Sequence, residues 1–140
     1  MPALADGEAR RRLTNARVAL LATVRADGRP HLVPIVFAAE RDVVYSIADP
    51  KPKRGPDLLR HRNVAANPAV TLLVHEYREP WADGIWWVRA DGVARVVEAG
   101  EERETTIRLL RAKYPDYATW TAPFGAAMIV DVERWSGWRL

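Results

Sequence analysis

Apolar residues fall along this chain in short runs, most with the length and β-branched character of strands rather than the spacing of long helices. Nearly every position from 18 to 24 is apolar. Both alternating sets, Val18, Leu20, Ala22, Val24 and Ala19, Leu21, Thr23, are apolar or nearly so. A strand wetted on one face would alternate cleanly, so this one is predicted to be covered on both sides. Asp27-Gly28 follows as a type I′ hairpin signal, and residues 32–37 make a second, antiparallel strand. Val43–Ile47 is a third, after a polar break at 40–42. Further strands are predicted at 70–77, Ile85–Val97 and 127–135. Asp91-Gly92 interrupts the long one, as a second hairpin or as a β-bulge.

Helices are predicted between these runs. Residues 8–15 read as a short one with Arg10, Arg11 and Arg12 exposed. Residues 57–66 follow Pro56, carry the stripe Leu58, Leu59, Val64 and end at Asn67-Pro68. Glu101–Lys113 has acidic residues in its first turn and Arg108, Arg111 and Lys113 near its end, matching the helix dipole; Pro115 stops it. Six or so antiparallel strands with short helices at their connections predict one mostly-β (α+β) domain over 1–140, with an N-terminal helix in 1–16 and a small barrel in 17–140.

Composition narrows the class. Of 140 residues, 49% are hydrophobic and 28% charged, the balance of a globular domain. The longest stretch without Asp, Glu, Lys or Arg is 117–130, too short for a membrane helix and broken by Pro123 and Gly125. With no cysteine and a charged N-terminus, a cytoplasmic location is expected. Charge is informative by position: residues 51–62 hold Lys51, Lys53, Arg54, Arg60 and Arg62 against Asp57 alone, a net +4 in a chain of net +3. One compact focus suits a single anionic group such as a phosphate; a solvated loop is the bland alternative. A nucleic-acid platform would interleave aromatic residues, and 51–62 contains none.

Several chemistries are excluded at the level of motifs. Ser46 and Ser136 are the only serines and neither lies in G-x-S-x-G. His31, His61 and His75 are separated by 30 and 14 residues, so no preformed metal site is expected and each reads as a surface or edge residue. The glycines are never closer than eight apart, which removes G-x-G-x-x-G and the P-loop. Reactive chemistry, if there is any, would come from a bound organic cofactor. Among six tryptophans, Trp86 and Trp87 are adjacent in a strand and so point to opposite faces. One needs a cover beyond the core: a flat ring system, a second subunit, or a loop. Trp135 and Trp138, flanking Ser136-Gly137, pose the same question.

The run Ala19-Leu20-Leu21-Ala22-Thr23 with Asp27-Gly28-Arg29-Pro30, the block Ile47-Ala48-Asp49-Pro50-Lys51-Pro52-Lys53-Arg54, Asn67-Pro68 before Val70-Thr71-Leu72-Leu73-Val74, and Trp86-Trp87-Val88-Arg89 with Gly92-Val93-Ala94 succeed one another in order. Together they resemble the pyridoxamine 5′-phosphate oxidase-like split β-barrel family over almost the whole chain. In detail they are similar to its actinobacterial branch that uses the deazaflavin coenzyme F420, as is the closing Arg134-Trp135-Ser136-Gly137-Trp138.

The resemblance implies a six-stranded split barrel, also known as the FMN-binding split barrel. It further implies a homodimer with cofactor sites at the subunit interface, and an oxidoreductase moving a hydride to a small electron-poor substrate. Lys51, Lys53 and Arg54 match the phosphate ligands, Ser46 the strand end that reaches the ring system, and Pro34, Ile35 and Val36 the segment lying against it. Trp87 matches an aromatic position supplied by the other subunit. Pro34 also fits physically, since it cannot donate to a ladder and belongs at an edge or bulge. The pattern runs through Asp91-Gly92 as one strand, which favours the bulge. Arg60, Arg62 and Arg10 to Arg12 are candidates to line the path of the deazaflavin's acidic tail. The alternatives are an FMN-dependent oxidoreductase or a non-catalytic flavin- or haem-binding protein of the same fold. Pyridoxamine phosphate oxidase activity itself is not implied, because the C-terminal substrate-binding region has no counterpart in this sequence.

Overall fold

The computed structural model describes residues 2–49, 58–121 and 123–140. Among the described residues seven strands form one antiparallel sheet: β1 (Ala19–Val24), β2 (Pro30–Ile35), β3 (Ala38–Glu40), β4 (Val43–Ile47), β5 (Ala69–Tyr77), β6 (Ile85–Val97) and β7 (Ala127–Arg139), in the order β2-β1-β5-β6-β7-β4-β3. The expectation of six strands closing a barrel is corrected. Among the described residues the end strands β2 and β3 do not pair, so the sheet is open. It curls nonetheless: Ile35 at one end shares a buried cluster with Val44, Met128 and Val130 from the other.

The extra strand is β3, three residues long, which begins just after the predicted end of the second strand at 37. The chain leaves β2 after Ile35, starts β3 at Ala38, and turns at Arg41, whose φ of 57° lies in the left-handed region. The first hairpin also differs from expectation. A type I′ turn needs positive φ at both Asp27 and Gly28, and only Gly28 has it, at 86°. Gly28 N–H donates to Arg25 O, Arg25 N–H to Arg29 O, and Asp27 Oδ1 accepts from Arg29 N–H, which is a longer loop with a bulged glycine. β6 runs unbroken through Asp91-Gly92. The irregularity lies opposite, where β7 carries one more residue, since Asp91 pairs with Arg134 and Gly92 with Val132. A Cβ on Gly92 would stand 2.2 Å from Asp131 O, so no larger residue fits there.

The described residues include four α-helices: α1 (Asp6–Asn15), α2 (Leu59–Ala66), α3 (Glu101–Lys113) and the short α4 (Pro115–Ala118). The predicted start of the second helix, at 56–57, lies outside the described residues. α1 buries Ala9 and Leu13 in the main core; α3 and α4 build a second core with Leu110, Tyr117, Phe124 and Ile129. His61 is buried rather than at a surface or edge, because it lies on the inner side of α2 with Asn63 and Val64. In β1 only one face is fully buried, and Leu20, Ala22 and Val24 on the other are half-buried. No helix among the described residues is long and apolar enough to cross a membrane.

A candidate cofactor cleft between β2, β4 and α2

A cleft of about 320 Å³ opens where the ends of β2 and β4 meet α2 and α4; it is lined by Val18, residues 34–36, Ser46, Ile47, Asp49, Arg60 and Tyr117. Local sequence positions each wall. β2 is an edge strand of the sheet, which is where a proline without an N–H can sit, and Pro34 pairs with Leu20 on its one neighbour. Ser46 and Ile47 are buried at the end of β4, held by pairing with Met128 and Ala127 of β7. Ala48 then exchanges backbone hydrogen bonds with Gly125 and Ala126, which turns Asp49 toward the cleft. Gly125 is needed here, because a Cβ would come within 2.9 Å of the Ala48 side chain.

The polar groups of the cleft are coupled. Tyr117 Oη donates to Asp49 Oδ1 at 2.5 Å, and burial followed by that carboxylate raises the phenol's pKa, keeping it protonated. Burial lowers the pKa of the Arg60 guanidinium, with Asp49 and Tyr117 pulling the other way; it remains a cation at any physiological pH. Its Nε is shielded from solvent and lacks a hydrogen-bond partner among the described residues. The wall at residues 36–37 is braced from behind. Lys113 Nζ donates to the carbonyls of Thr14, Ala16 and Phe37 at 3.3, 2.7 and 2.9 Å. Tyr114 Oη accepts from Phe37 N–H at 3.1 Å and lies 2.8 Å from the carbonyls of Arg17 and Phe37. The arrangement combines an apolar wall, one unpaired guanidinium and a carboxylate, which suits a flat ligand bearing an anionic group.

Of the residues singled out from sequence, Pro34, Ile35, Val36 and Ser46 come together on this cleft. Lys51, Lys53 and Arg54 lie outside the described residues, between Asp49 and Arg60 in the chain. Trp87 is not on the cleft of its own chain. It lies half-buried on the outer face of the sheet, opposite His75 and Trp138, with Arg89 over its ring at 5.0 Å. Trp86 faces the core and donates from Nε1 to Glu76. The N-terminal arginines are already paired, Arg10 with Asp42 and both Arg11 and Arg12 with Glu8. Arg62 lines a different groove, together with Glu98 and Arg103. Sequence reasoning missed Val18, Asp49, Arg60 and Tyr117 as one site. Asp49 lay inside the block that carried the resemblance and Arg60 inside the charge focus, but no sequence signal marked Tyr117.

Residues 5–139 match the family model described as Pyridoxamine 5′-phosphate oxidase. No curated protein sequence matches the chain. Among solved structures it is similar to a conserved hypothetical protein of Mycobacterium tuberculosis, Rv2991, with TM-score 0.78 and 19% identity over 97% of this chain and 85% of that one. A FAD-binding protein of Mesorhizobium loti is similar with TM-score 0.64 and 25% identity, over 97% and 95%. The haem storage protein HutZ of Vibrio cholerae is similar with TM-score 0.67 and 18% identity, over 95% and 90%.

Proposed function

The chain belongs to the pyridoxamine 5′-phosphate oxidase family, and from that premise we propose that the cleft holds a flavin-type cofactor, the deazaflavin F420, in an oxidoreductase acting on a small electron-poor substrate. The observation that carries this reading is the meeting of Pro34, Ile35, Val36 and Ser46 with the unpartnered Arg60 on one cleft. An apolar strand end beside a guanidinium without a hydrogen-bond partner fits a ring system joined to an anionic chain. The bound cofactor would supply the hydride chemistry. The chain's own residues bind and orient: 34–36 lie along the ring, Ser46 stands at its edge, and Lys51, Lys53, Arg54 and Arg60 hold anionic groups. Tyr117 keeps Asp49 in place and stays protonated.

The second subunit enters the same reading. Outward-facing positions on β2, β1, β5, β6 and β7 include Leu32, Leu20, Leu73, Trp87 and Trp138, an apolar face that one chain leaves half-covered or exposed. Leu32 is 61% exposed. Such a face suits burial against a second copy, which would bring the partner's Trp87 toward the cofactor. A plain flavin is the second reading, favoured by the likeness to the FAD-binding protein of Mesorhizobium loti.

Filling the cleft tests its assignment. Val36→Trp should abolish the change in cofactor fluorescence on binding while leaving the far-ultraviolet dichroism of the fold. Retained binding would place the site elsewhere.

A further inference from the structure

Two walls of the cleft stand where the sheet stops holding them together. Pairing between β1 and β2 ends at Ala19 and Ile35, and the next position on each strand, Val18 and Val36, lines the cleft. Past that point two side chains at the end of α3 replace the ladder. Lys113 Nζ donates to Ala16 O at 2.7 Å, Phe37 O at 2.9 Å and Thr14 O at 3.3 Å. Tyr114 Oη accepts from Phe37 N–H at 3.1 Å and lies 2.8 Å from Arg17 O and Phe37 O. The segments that carry Val18 and Val36 are thus fastened to one helix end, at positions one or two residues from each wall.

The fastening depends on charge. An ammonium has three N–H donors, and three carbonyls converge on it; a neutral amine has two donors and a lone pair that would face carbonyl oxygens. Its surroundings supply no opposite charge. Arg17 is the charged neighbour that acts on it, with its guanidinium 4.7 Å over the Tyr114 ring and its Nη2 donating to Lys113 O. The Phe37 ring centre lies 4.0 Å from Nζ, and burial raises the pKa of the Tyr114 phenol, which stays neutral beside it. Burial first, and Arg17 second, lower the pKa of Lys113 to about 8.

We infer that Lys113 and Tyr114 are positioning residues for the cleft: they set the spacing of the Val18 and Val36 walls, and ligand affinity depends on the ammonium keeping its proton. This rests on the reading of the cleft as a flavin-type site. The charged form holds the splayed segments and binds the ligand; the neutral amine releases them. Binding therefore takes up a proton on the alkaline side, and affinity falls there.

Two readouts test this. Backbone amide NMR of cofactor-free protein follows the walls: the signals of Val18, Val36 and Phe37 should move together with a midpoint at about 8. They should stay still in Lys113→Arg, whose guanidinium keeps its proton throughout. Equilibrium titration with F420 and with FMN at each pH follows the cleft. Native affinity should fall by up to about tenfold per pH unit above that midpoint, the limit for one proton, while Lys113→Arg gives a flatter profile. Groups that titrate elsewhere, Lys51 and Lys53 included, are common to both chains. Lys113→Met should bind weakly at every pH, and Tyr114→Phe several-fold more weakly than the native chain. Should Lys113→Met fail to fold, the native and Lys113→Arg profiles decide. Amides that do not titrate would overturn the inference, and so would coincident native and Lys113→Arg affinity profiles. If neither F420 nor FMN binds, the cofactor reading fails and the amides decide alone: a shared midpoint lost in Lys113→Arg sustains the fastening, and its absence overturns it.

Discussion

Tyr117 donates a 2.5 Å hydrogen bond to Asp49 Oδ1, joining the second core to the rim of the cleft. The ring of Tyr117 packs against Tyr114, Trp120 and Phe124, with centroids 5.4 to 6.0 Å away, so its hydroxyl has little freedom. Tyr117→Phe keeps that packing and releases Asp49. Stability should fall by about 1 kcal/mol in denaturant titration, and cofactor affinity by several-fold as Asp49 and Arg60 lose their setting. Unchanged affinity would reduce Tyr117 to a core residue.

Lys113 is the other brace, tying α3 to the end of α1 and to the turn after β2 through three carbonyls. Burial lowers its pKa to about 8, so it still carries its proton at neutral pH. Lys113→Met keeps the aliphatic stem but leaves the carbonyl of Ala16 without its donor, while Phe37 O keeps Tyr114 Oη 2.8 Å away, a loss of about 1 to 3 kcal/mol by chemical unfolding. A loss below about 0.5 kcal/mol would mean that water replaces the ammonium without penalty.

Elements whose composition matches their burial are legible in the sequence: β4, β6 and α3 begin and end where apolar runs, turn residues and charged end turns place them. β3 was not legible, because three residues carry no period and its turn uses Arg41 rather than a glycine. Likewise the irregularity signalled by Asp91-Gly92 lies in β7, where Glu133 gives no composition signal for it. Residues 34–36 and Ser46 could be singled out because they sit in recurrent runs. Tyr117 could not, since its role depends on contact with Asp49, 68 positions away. His61 looked like a surface residue because one polar side chain in a short helix does not reveal which face is inward.

Acid should loosen α1 first. Hydrogen bonds from Arg11 and Arg12 lower the Glu8 pKa from 4.5 to about 2. A depressed acid stabilises the folded state above its unfolded pKa, and that contribution disappears as pH falls through the folded value. Melting temperature should therefore fall between pH 4.5 and 2 by more in the native sequence than in Glu8→Gln. Equal slopes would show that the two arginines do not hold Glu8 in solution.

The apolar outer face gives an oligomer prediction. The protein should sediment as twice its 15.8 kDa at micromolar concentration. Leu73→Asp, which puts a charge in the middle of that face opposite Leu20 and Arg89, should give monomers that keep native circular dichroism. A native chain that is monomeric would contradict the shared site.

The central claim is that the cleft is a flavin-type site that prefers the deazaflavin. Equilibrium titration of cofactor-free protein with F420 and FMN side by side, at low and at physiological salt, tests it most directly. Exposed ion pairs along a tail contribute about 0 to 1 kcal/mol each, so a preference resting on them should be modest and shrink with salt. Tighter binding of F420, narrowing as salt rises, is the predicted result. FMN binding equally well or better at both salts, or protein that purifies yellow with bound FMN, would contradict the preference, and binding of neither would contradict the site.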